Sequence, residues 1–307
     1  MRDLRRCFVI VIVSAVCLGA LAPARARPGG ARGQMLVLSY NICWQCMTNT
    51  SKGSAPTLGA ACTCTDHEED SKSCARTVCT EDVARLIEAT PADYEMANYD
   101  FVALQEASNW QALRGAAPNT LGKLKAQPYK VEGGHEWSVV FWDGSRFALS
   151  HQFGGDSGHG YAFQVLIFDA AETIFVNVHN CHSHQECSLS TLGDELSARL
   201  LESLGRDEVK ELQGYRLIVA GDFNRAAEVD SQGQMSIAPL SPAGIETRVS
   251  LQSPPVTCCS QAKPWKGRRS GDFIFDSRSV ASLEIPRSYE VDVLRSDHLP
   301  VVALLPR

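Results

Sequence analysis

The sequence has little positive charge, no internal repeat and no glycine-rich phosphate loop. Its 307 residues include 29 Lys and Arg against 35 Asp and Glu, so the formal net charge is −6. This charge excludes a strongly basic coat for nucleic acid. It does not exclude a phosphate substrate, because a bound divalent ion and a local basic patch can offset an unfavourable field. With 44% hydrophobic residues, the chain can bury the core of one large domain.

Long hydrophobic runs are also scarce, and the one that stands out lies near the start of the sequence. Three arginines precede an apolar stretch at positions 8–21, and the small-x-small pattern Ala-Arg-Ala follows at 24–26. We expect residues 1–26 to be a cleaved signal peptide, because the stretch is shorter than the ~20 residues that a spanning helix needs. The alternative is an uncleaved membrane anchor. Cleavage removes four Arg and one Asp and would leave a secreted or extracytoplasmic chain of net charge −9, with no transmembrane segment.

Twelve cysteines occur, and ten of them lie beyond the predicted signal peptide. An even number of cysteines in an exported chain favours disulfide bonds. Six lie in the segment 43–79, which has no helical or strand period, so we interpret it as a disulfide-stapled insertion in a domain at 33–307. A local bridge between Cys181 and Cys187 would close a His-rich loop. Zinc is the alternative for the insertion, because two closely spaced cysteine pairs lie near His67, but an oxidising compartment disfavours it.

Eight short runs rich in Val, Ile, Leu and Phe are bounded by polar or Gly residues, which is typical of buried strands. They are Met35–Tyr40, Phe101–Gln105, Trp137–Trp142, Gln164–Phe168, Thr173–Val178, Leu217–Ala220, Phe273–Phe275 and Leu299–Leu305. Two helices are predicted, at 80–89 and along a Leu stripe at 192–204. The short link 169–172 predicts a hairpin, and the glycine-rich segment 154–160 predicts a mobile loop. Strands outnumber helices, which favours a mixed-sheet α/β sandwich over a βα barrel.

Polar residues stand at the ends of five of these runs. They are Asn41, Glu106, His179, the pair Asp222 and Asn224, and the dipeptide Asp297-His298. Carboxylate and amide oxygens suit a hard divalent cation, and histidine suits proton transfer near a phosphate. We therefore expect these side chains to form one cluster that binds such a cation and handles protons around a phosphate.

In their order along the chain, the five motifs resemble those of the endonuclease/exonuclease/phosphatase superfamily, which includes deoxyribonuclease I. The resemblance covers about residues 35–305. It implies an α/β fold, a four-layer sandwich of two mixed β-sheets flanked by helices, with all five motifs at one edge. It also implies a metal-dependent hydrolase of phosphate esters that uses Mg²⁺, or Mn²⁺ or Ca²⁺. We expect a monomer.

The resemblance assigns a role to each motif. Asn41, Glu106 and Asp297 match the metal site, in which Glu106 would supply the charged oxygen. Asp222 matches the group that orients or deprotonates the attacking water, and Asn224 matches a hydrogen-bond donor to the phosphate. Each motif could by itself be a turn or a cap, and the occurrence of all five favours the catalytic interpretation.

Two histidines complete the implied machinery. His298 matches a catalytic histidine that is paired with a carboxylate, and Asp272 stands at the position of that carboxylate. His179 matches a second catalytic position, from which it could protonate the leaving oxygen. Its carboxylate partner is left open by the sequence: Glu132 is the first candidate, and Glu136 is the second.

The substrate is less defined. The long insertion at 43–79, and a Trp-Asp pair at 142–143 near where deoxyribonuclease I has a phosphate-binding arginine, both disfavour DNA. A basic loop at 263–269 could contact either nucleic acid or a phospholipid headgroup, although a solvated surface loop is the plain alternative. Its predicted substrate-binding residues are Trp265, Arg268 and Arg269.

Three functions remain open at this stage. The first is a secreted, endonuclease-like phosphodiesterase, and the second is a lipid or sugar phosphodiesterase or phosphatase resembling sphingomyelinases or phosphoinositide phosphatases. The third is a catalytically dead, disulfide-stapled binding protein. The third is disfavoured because such a chain should have lost at least one of Glu106, Asp222 or His298, and all are present.

Overall fold

The computed structural model describes residues 33–43, 71–134, 136–181, 188–224, 228–229, 235–236, 241–249, 255–257, 270–289, 296 and 298–307. The predicted signal peptide, residues 44–70 of the insertion, Asp297 and the basic loop at 263–269 lie outside these ranges. Among the helices in these ranges, none is long and apolar enough to span a membrane.

Twelve strands are formed in the described ranges, and ten of them build two five-stranded sheets. They are β1 (Gln34–Asn41), β2 (Phe101–Gln105), β3 (Lys125–Tyr129), β4 (Ser138–Trp142), β5 (His151–Gly158), β6 (Tyr161–Phe168), β7 (Thr173–His179), β8 (Arg216–Asp222), β9 (Glu228–Val229), β10 (Met235–Ser236), β11 (Asp272–Asp276) and β12 (Val301–Pro306). The first sheet has the order β12-β1-β2-β4-β3, and the second has the order β11-β8-β7-β6-β5. Strands β9 and β10 pair with each other.

Both sheets are mixed, because each contains one parallel pair among antiparallel neighbours. Strand β1 runs parallel to β2, and β7 runs parallel to β8. The other pairs in the two sheets are antiparallel. The carboxyl ends of β1, β2, β7 and β8 therefore open at one edge of the sandwich, where β11 begins.

Four α-helices flank the sheets in the described part of the chain. They are α1 (Ser71–Asp93), α2 (Trp110–Ala116), α3 (Leu189–Leu204) and α4 (Arg206–Glu211). Helix α3 contains the predicted Leu stripe, and its first turn is capped by Ser188, whose hydroxyl accepts a hydrogen bond from the backbone N–H of Thr191 at 3.1 Å. The predicted helix at 80–89 lies within the longer α1. Helices α2 and α4 are too short to show a clear apolar period, and they were not predicted.

Alternating side chains of the first sheet explain the four layers. Along β1, Val37 belongs to the core shared with the second sheet, whereas Leu36 and Leu38 pack with Val83 and Ile87 of α1. This two-residue period is expected of a strand with apolar groups on both sides. The buried leucines of α3 pack in the same core as the second sheet. The layers are thus helix, sheet, sheet and helix, and the predicted fold class is confirmed.

One local prediction about secondary structure is wrong. The segment 154–160 was expected to be a loop, but most of it forms the end of β5, which pairs with β6. The glycines allow close packing here and do not indicate a flexible backbone. A Cβ on Gly155 would lie 2.3 Å from the ring of Phe163, and a Cβ on Gly154 would lie 2.5 Å from the ring of Tyr129. The hairpin predicted at 169–172 is confirmed, because that link joins the antiparallel strands β6 and β7.

Candidate active site

The register of the strands brings the predicted motifs to the common edge. Asn41, the last residue of β1, pairs with the last residue of β2, directly before Glu106. His179 and Asp222 are register partners at the ends of β7 and β8. Asp272 begins β11 opposite Asp222, because that pair is antiparallel. The site is therefore built at the end of five strands, and it draws on both sheets.

Asn41 acts on two carboxylates at once. Its amide nitrogen donates hydrogen bonds to Glu106 Oε1 and to Asp222 Oδ2, both at 3.0 Å. Its amide oxygen accepts a hydrogen bond from the backbone N–H of Cys43 at 2.9 Å, which fixes the orientation of the amide. Asn41 is fully buried, and Ser296 donates a hydrogen bond to its carbonyl oxygen at 2.7 Å. In this arrangement Asn41 orients the carboxylates through its nitrogen.

Close packing of β7 and β8 sets the position of Asp222. A Cβ on Gly221 would lie 1.9 Å from the carbonyl oxygen of Val178, so only glycine fits immediately before Asp222. Asp222 is almost completely buried. Its Oδ2 lies 3.7 Å from His179 Nε2 and 3.5 Å from His298 Nε2. Asp222 therefore occupies the centre of the cluster, with a histidine on each side.

Asn224 differs in conformation from the prediction. The sequence pattern suggested an extended segment in which Asp222 and Asn224 face the same side, but Asn224 has a left-handed backbone with φ of +50°. Its backbone N–H donates to Asp222 Oδ1 at 2.8 Å, and its amide nitrogen donates to the carbonyl oxygen of Asn180 at 2.7 Å. The two residues thus form a turn that closes on the aspartate. Phe223 between them is fully buried, as the alternation predicted.

His298 and Asp272 form a buried pair. His298 Nδ1 lies 2.9 Å from Asp272 Oδ2, so Nε2 faces Asp222. The pKa of Asp272 is raised, mainly because the carboxyl group is buried and also because the Asp222 carboxylate is near. The positive charge of His298 lowers the pKa but does not outweigh these effects. A carboxylate on Nδ1 selects the orientation of the imidazole ring and leaves Nε2 for chemistry.

His179 has a carboxylate near each ring nitrogen. Nδ1 lies 3.3 Å from Glu136, and Nε2 lies 3.8 Å from Glu106. Glu136, the second candidate of the sequence, is thus the carboxylate that pairs with Nδ1, whereas the first candidate, Glu132, is exposed. Burial of His179 lowers its pKa, but the hydrogen bond to Glu136 and the charges of Asp222, Glu106 and Glu136 outweigh burial and raise the pKa to about 9.

Three features of the site are not among the sequence predictions. Tyr161, the first residue of β6, packs its ring at 83° to the imidazole of His179, with ring centroids 4.6 Å apart. Beneath the site, Gln105 donates a hydrogen bond from Nε2 to Asn177 Oδ1 at 2.7 Å, which links the two sheets. Asn177 could have been found, because it alternates with His179 on β7 and so shares its face. Nothing local to the sequence points to Tyr161 or to the contact of Asn180 with Asn224.

The donors at this edge fit a hard divalent cation. Asn41 links the carboxylates of Glu106 and Asp222, Asp272 lies beside Asp222, and Glu136 adds a fourth carboxylate near His179. Two triads in the described residues have ligand atoms within 4.8 Å of one another: Glu106, Glu136 and His179, and Asp222, Asp272 and His298. Oxygen-rich donors with little nitrogen suit Mg²⁺, Mn²⁺ or Ca²⁺. The side chains of Glu106 and Glu136 are 15% and 19% exposed, so both can face an ion entering from solvent, and Glu106 is the one that Asn41 orients.

Four predicted site residues lie outside the described residues: Asp297, Trp265, Arg268 and Arg269. Their roles remain predictions. Asp297 stands between Ser296 and His298, and both of these neighbours are buried in the cluster. The basic loop ends one residue before Ser270, which is buried and is followed by Gly271 and Asp272.

The raised pKa of His179 predicts how stability depends on pH in the metal-free protein. Below the ordinary value of 6.5, histidine is protonated in both the folded and the unfolded chain, and the ion pairs of His179 stabilise the fold in full. As pH rises from 6.5 through about 9, that contribution is lost. We expect the difference in melting temperature between wild type and His179→Gln, measured in EDTA, to fall over this range. A constant difference from pH 6 to 9.5 would contradict the raised pKa.

Comparisons with known proteins identify the fold. No family model and no curated protein matches the sequence. Solved structures do match: TDP2 from C. elegans has a TM-score of 0.54 and 13% identity, over 89% of this chain and 75% of that one. ANGEL2, a 2',3'-cyclic phosphatase in complex with adenosine-2',3'-vanadate, has a TM-score of 0.53 and 14% identity, over 89% of this chain and 95% of that one.

A humanized D. rerio TDP2 with 14 mutations is also similar, with a TM-score of 0.51 and 14% identity, over 89% of this chain and 99% of that one. At these identities the likeness concerns the fold. The chain has the four-layer α/β fold of these structures, which is the fold implied by the resemblance of its motifs to the endonuclease/exonuclease/phosphatase superfamily.

Proposed function

We propose that the protein is a divalent-metal-dependent phosphoesterase that hydrolyses phosphodiester bonds, with an endonuclease-like activity. The observation that carries this proposal is the convergence of Asn41, Glu106, Asp222 and the Asp272–His298 pair at one edge of the sandwich. Their distances are those of direct hydrogen bonds or close ion pairs. A purely structural role does not account for so many buried carboxylates and histidines gathered in one place.

Each residue of the cluster then has a distinct task. Glu106 and Asp297, with Asn41 orienting, would hold the cation, which when bound neutralises charge on the phosphate. Asp222 lies 3.5 Å from His298 and 3.7 Å from His179, so it can orient or deprotonate a water between them. Asn224 would support the phosphate side, although its amide nitrogen is engaged by Asn180 before a substrate arrives.

His179 is suited to donate a proton to the leaving oxygen. In the metal-free protein the three carboxylates around the ring raise the pKa of His179 to about 9, which favours the protonated form. An alkoxide is a poor leaving group, so a proton delivered to it in the transition state speeds hydrolysis. This assignment requires no covalent intermediate, and the described cluster contains no cysteine or serine paired with a base.

Nucleic acid is the substrate class we propose. ANGEL2 is described as a 2',3'-cyclic phosphatase and holds adenosine-2',3'-vanadate, a nucleotide-like ligand, on the same fold. The basic loop with Trp265 suits a strand of nucleic acid, because an indole ring can stack on a base. A phospholipid headgroup would use the same charges and would place the indole in a membrane interface.

One experiment tests the proposal. The purified protein is incubated with plasmid DNA, RNA, sphingomyelin and phosphoinositides in the presence of Mg²⁺, Mn²⁺ or Ca²⁺, and in parallel with EDTA. We expect cleavage of DNA or RNA that requires the cation. If only the lipids are hydrolysed, with release of a headgroup or phosphate, the protein is a lipid hydrolase and the nuclease proposal is wrong. If no substrate gives a product with any cation, the remaining alternative is a catalytically dead binding protein.

The basic loop predicts a second, separable effect. Replacing Lys266, Arg268 and Arg269 by Ser should raise the Michaelis constant on the macromolecular substrate and flatten its salt dependence, because phosphate contacts are screened by salt. Turnover of a small chromogenic phosphodiester should stay nearly unchanged. Trp265→Ala should weaken activity on single-stranded nucleic acid; loss only on vesicles would favour the lipid substrate. Unchanged kinetics in both variants would reduce the loop to solvated surface.

We also propose that the protein is exported as an oxidised monomer that begins near residue 27. The proposal rests on the N-terminal sequence pattern and on the ten cysteines beyond it. Two of these cysteines, Cys43 and Cys181, are buried close to the site. The intact mass of the exported chain, before and after reduction and alkylation, checks the oxidation of the cysteines and the position of the N-terminus. Free thiols or an uncleaved N-terminus would contradict the proposal.

A further inference from the structure

The tip of the β5–β6 hairpin, residues 156–161, is held in a defined shape. Asp156 Oδ1 accepts hydrogen bonds from the backbone N–H groups of Gly158 at 2.7 Å and of Gly160 at 3.1 Å. Gly158 has φ of +114°, which side chains rarely adopt, and a Cβ there would lie 2.8 Å from Cys181 Sγ. The tip is therefore a rigid turn fitted closely to the segment that follows β7.

This tip contacts His179 in two ways. Ser157 donates a hydrogen bond from its hydroxyl to the carbonyl oxygen of His179 at 2.6 Å, which fixes the backbone of the histidine. Tyr161 packs its ring edge-to-face with the imidazole, with centroids 4.6 Å apart. Edge-to-face pairs have a preferred geometry, so the contact restricts rotation of the imidazole ring.

The same tip contacts the segment that carries the partner of His179. A Cβ on Gly134 would lie 2.8 Å from the carbonyl oxygen of Gly160, so the chain two residues before Glu136 packs directly on the turn. Glu136 in turn pairs with Nδ1 of His179 at 3.3 Å. One turn thus supports the backbone, the ring and the carboxylate partner of the histidine.

We infer that Tyr161 is a positioning residue that holds His179 in the orientation required to protonate the leaving oxygen. The inference rests on the proposed function, and it adds a residue that none of the sequence motifs contains. Tyr161 fixes the face of the imidazole while Glu136 fixes Nδ1, so that Nε2 points toward Glu106 and Asp222, the side on which a phosphate would bind. The ring of Tyr161 performs this task, and Phe at this position should preserve it.

The test compares substrates with different leaving groups. A nucleic acid strand leaves as an alkoxide and needs a proton, whereas bis-4-nitrophenyl phosphate releases a stable phenolate and does not. We expect Tyr161→Leu to lower kcat on plasmid DNA or RNA by about tenfold with an unchanged KM, and to change kcat on bis-4-nitrophenyl phosphate by less than about twofold. Tyr161→Phe should behave as wild type on both. Tyr215→Leu, at the opposite end of the sheet beside Asp169, is the matched control.

A double mutant separates positioning from direct contact with substrate. If Tyr161 acts through His179, then Tyr161→Leu combined with His179→Ala should be no slower than His179→Ala alone. Multiplicative losses, a loss confined to KM, an equal loss on both substrates, or a Phe variant as impaired as Leu would each overturn the inference. Should the Leu variant fail to fold, Tyr161→Met serves in its place.

A second measurement does not depend on activity. NMR spectra are recorded on protein labelled at its histidine side chains, and the ring signals of His179 are assigned by their loss in His179→Ala. These signals should shift in Tyr161→Leu and stay nearly in place in Tyr161→Phe, because the ring current of an aromatic side chain shifts the signals of nearby atoms. Unmoved signals in the Leu variant would overturn the inference even if wild type hydrolyses no substrate. Shifted signals without any wild-type hydrolysis would contradict the proposed function and leave the positioning contact standing.

Discussion

Glu106→Gln is expected to cut metal-dependent turnover by on the order of 100-fold or more, a loss of the size seen when other active sites lose a charge-stabilising group. Glu106 is a partly exposed carboxylate of the cluster, and it follows directly on β2 beside Asn41. Its backbone φ of +52° is left-handed, which is uncommon for a residue other than glycine and consistent with a position fixed by function. Glutamine has nearly the same shape and still accepts the hydrogen bond from Asn41, so the fold should persist while the charge is lost.

The measurement is the dependence of kcat and of Mg²⁺ binding on the concentration of the ion. Binding, followed by calorimetry, should weaken together with turnover, because a hard cation requires charged oxygen ligands. Glu132→Gln is the matched control, since it removes an equal charge from an exposed glutamate outside the cluster and should leave both quantities unchanged. Full activity of Glu106→Gln at saturating Mg²⁺ would reject the role of Glu106 as a metal ligand.

Much of the fold could be read from the sequence because its strands are buried on both sides. Strands β2, β4, β7, β8 and β11 are buried along their whole length, so they appear as continuous apolar runs with clear ends. The side chains of the site lie at those ends, and the ends of neighbouring strands lie at one edge of a sheet regardless of the conformation of the loops. Sequence position therefore carried information about spatial position.

The features that escaped prediction depend on contacts between distant segments. The glycines of β5 look like a loop in isolation, and only the rings of Phe163 and Tyr129 explain why glycine is needed in a strand. The turn at Asn224 is stabilised by Asn180, which lies 44 positions earlier. The sequence ranks Glu132 before Glu136, and only the distance of 3.3 Å between Glu136 and His179 Nδ1 identifies Glu136 as the partner. Such pairings are set by tertiary packing, which no local pattern records.

Asp272→Asn and His298→Ala are expected to lower kcat by similar factors, roughly 10²–10⁴, as in other sites where a carboxylate orients a catalytic histidine. His298 Nδ1 lies 2.9 Å from Asp272 Oδ2, and both side chains are buried, so no water can replace the lost partner easily. An asparagine at this position can present its amide nitrogen to Nδ1. The imidazole then loses the tautomer that leaves Nε2 free to act beside Asp222.

Because the two residues act through one imidazole, the double mutant should be slower than the poorer single mutant by less than about threefold. The measurement is a complete double-mutant cycle of kcat at saturating cation, with melting curves to show that each variant is folded. His151→Ala, an exposed histidine beside Asp169 at the opposite end of the sheet, provides the control, since its combination with Asp272→Asn should match Asp272→Asn alone. If the losses of Asp272→Asn and His298→Ala multiply instead, the carboxylate acts on the reaction independently of the histidine, and the pair is not the unit that its geometry indicates.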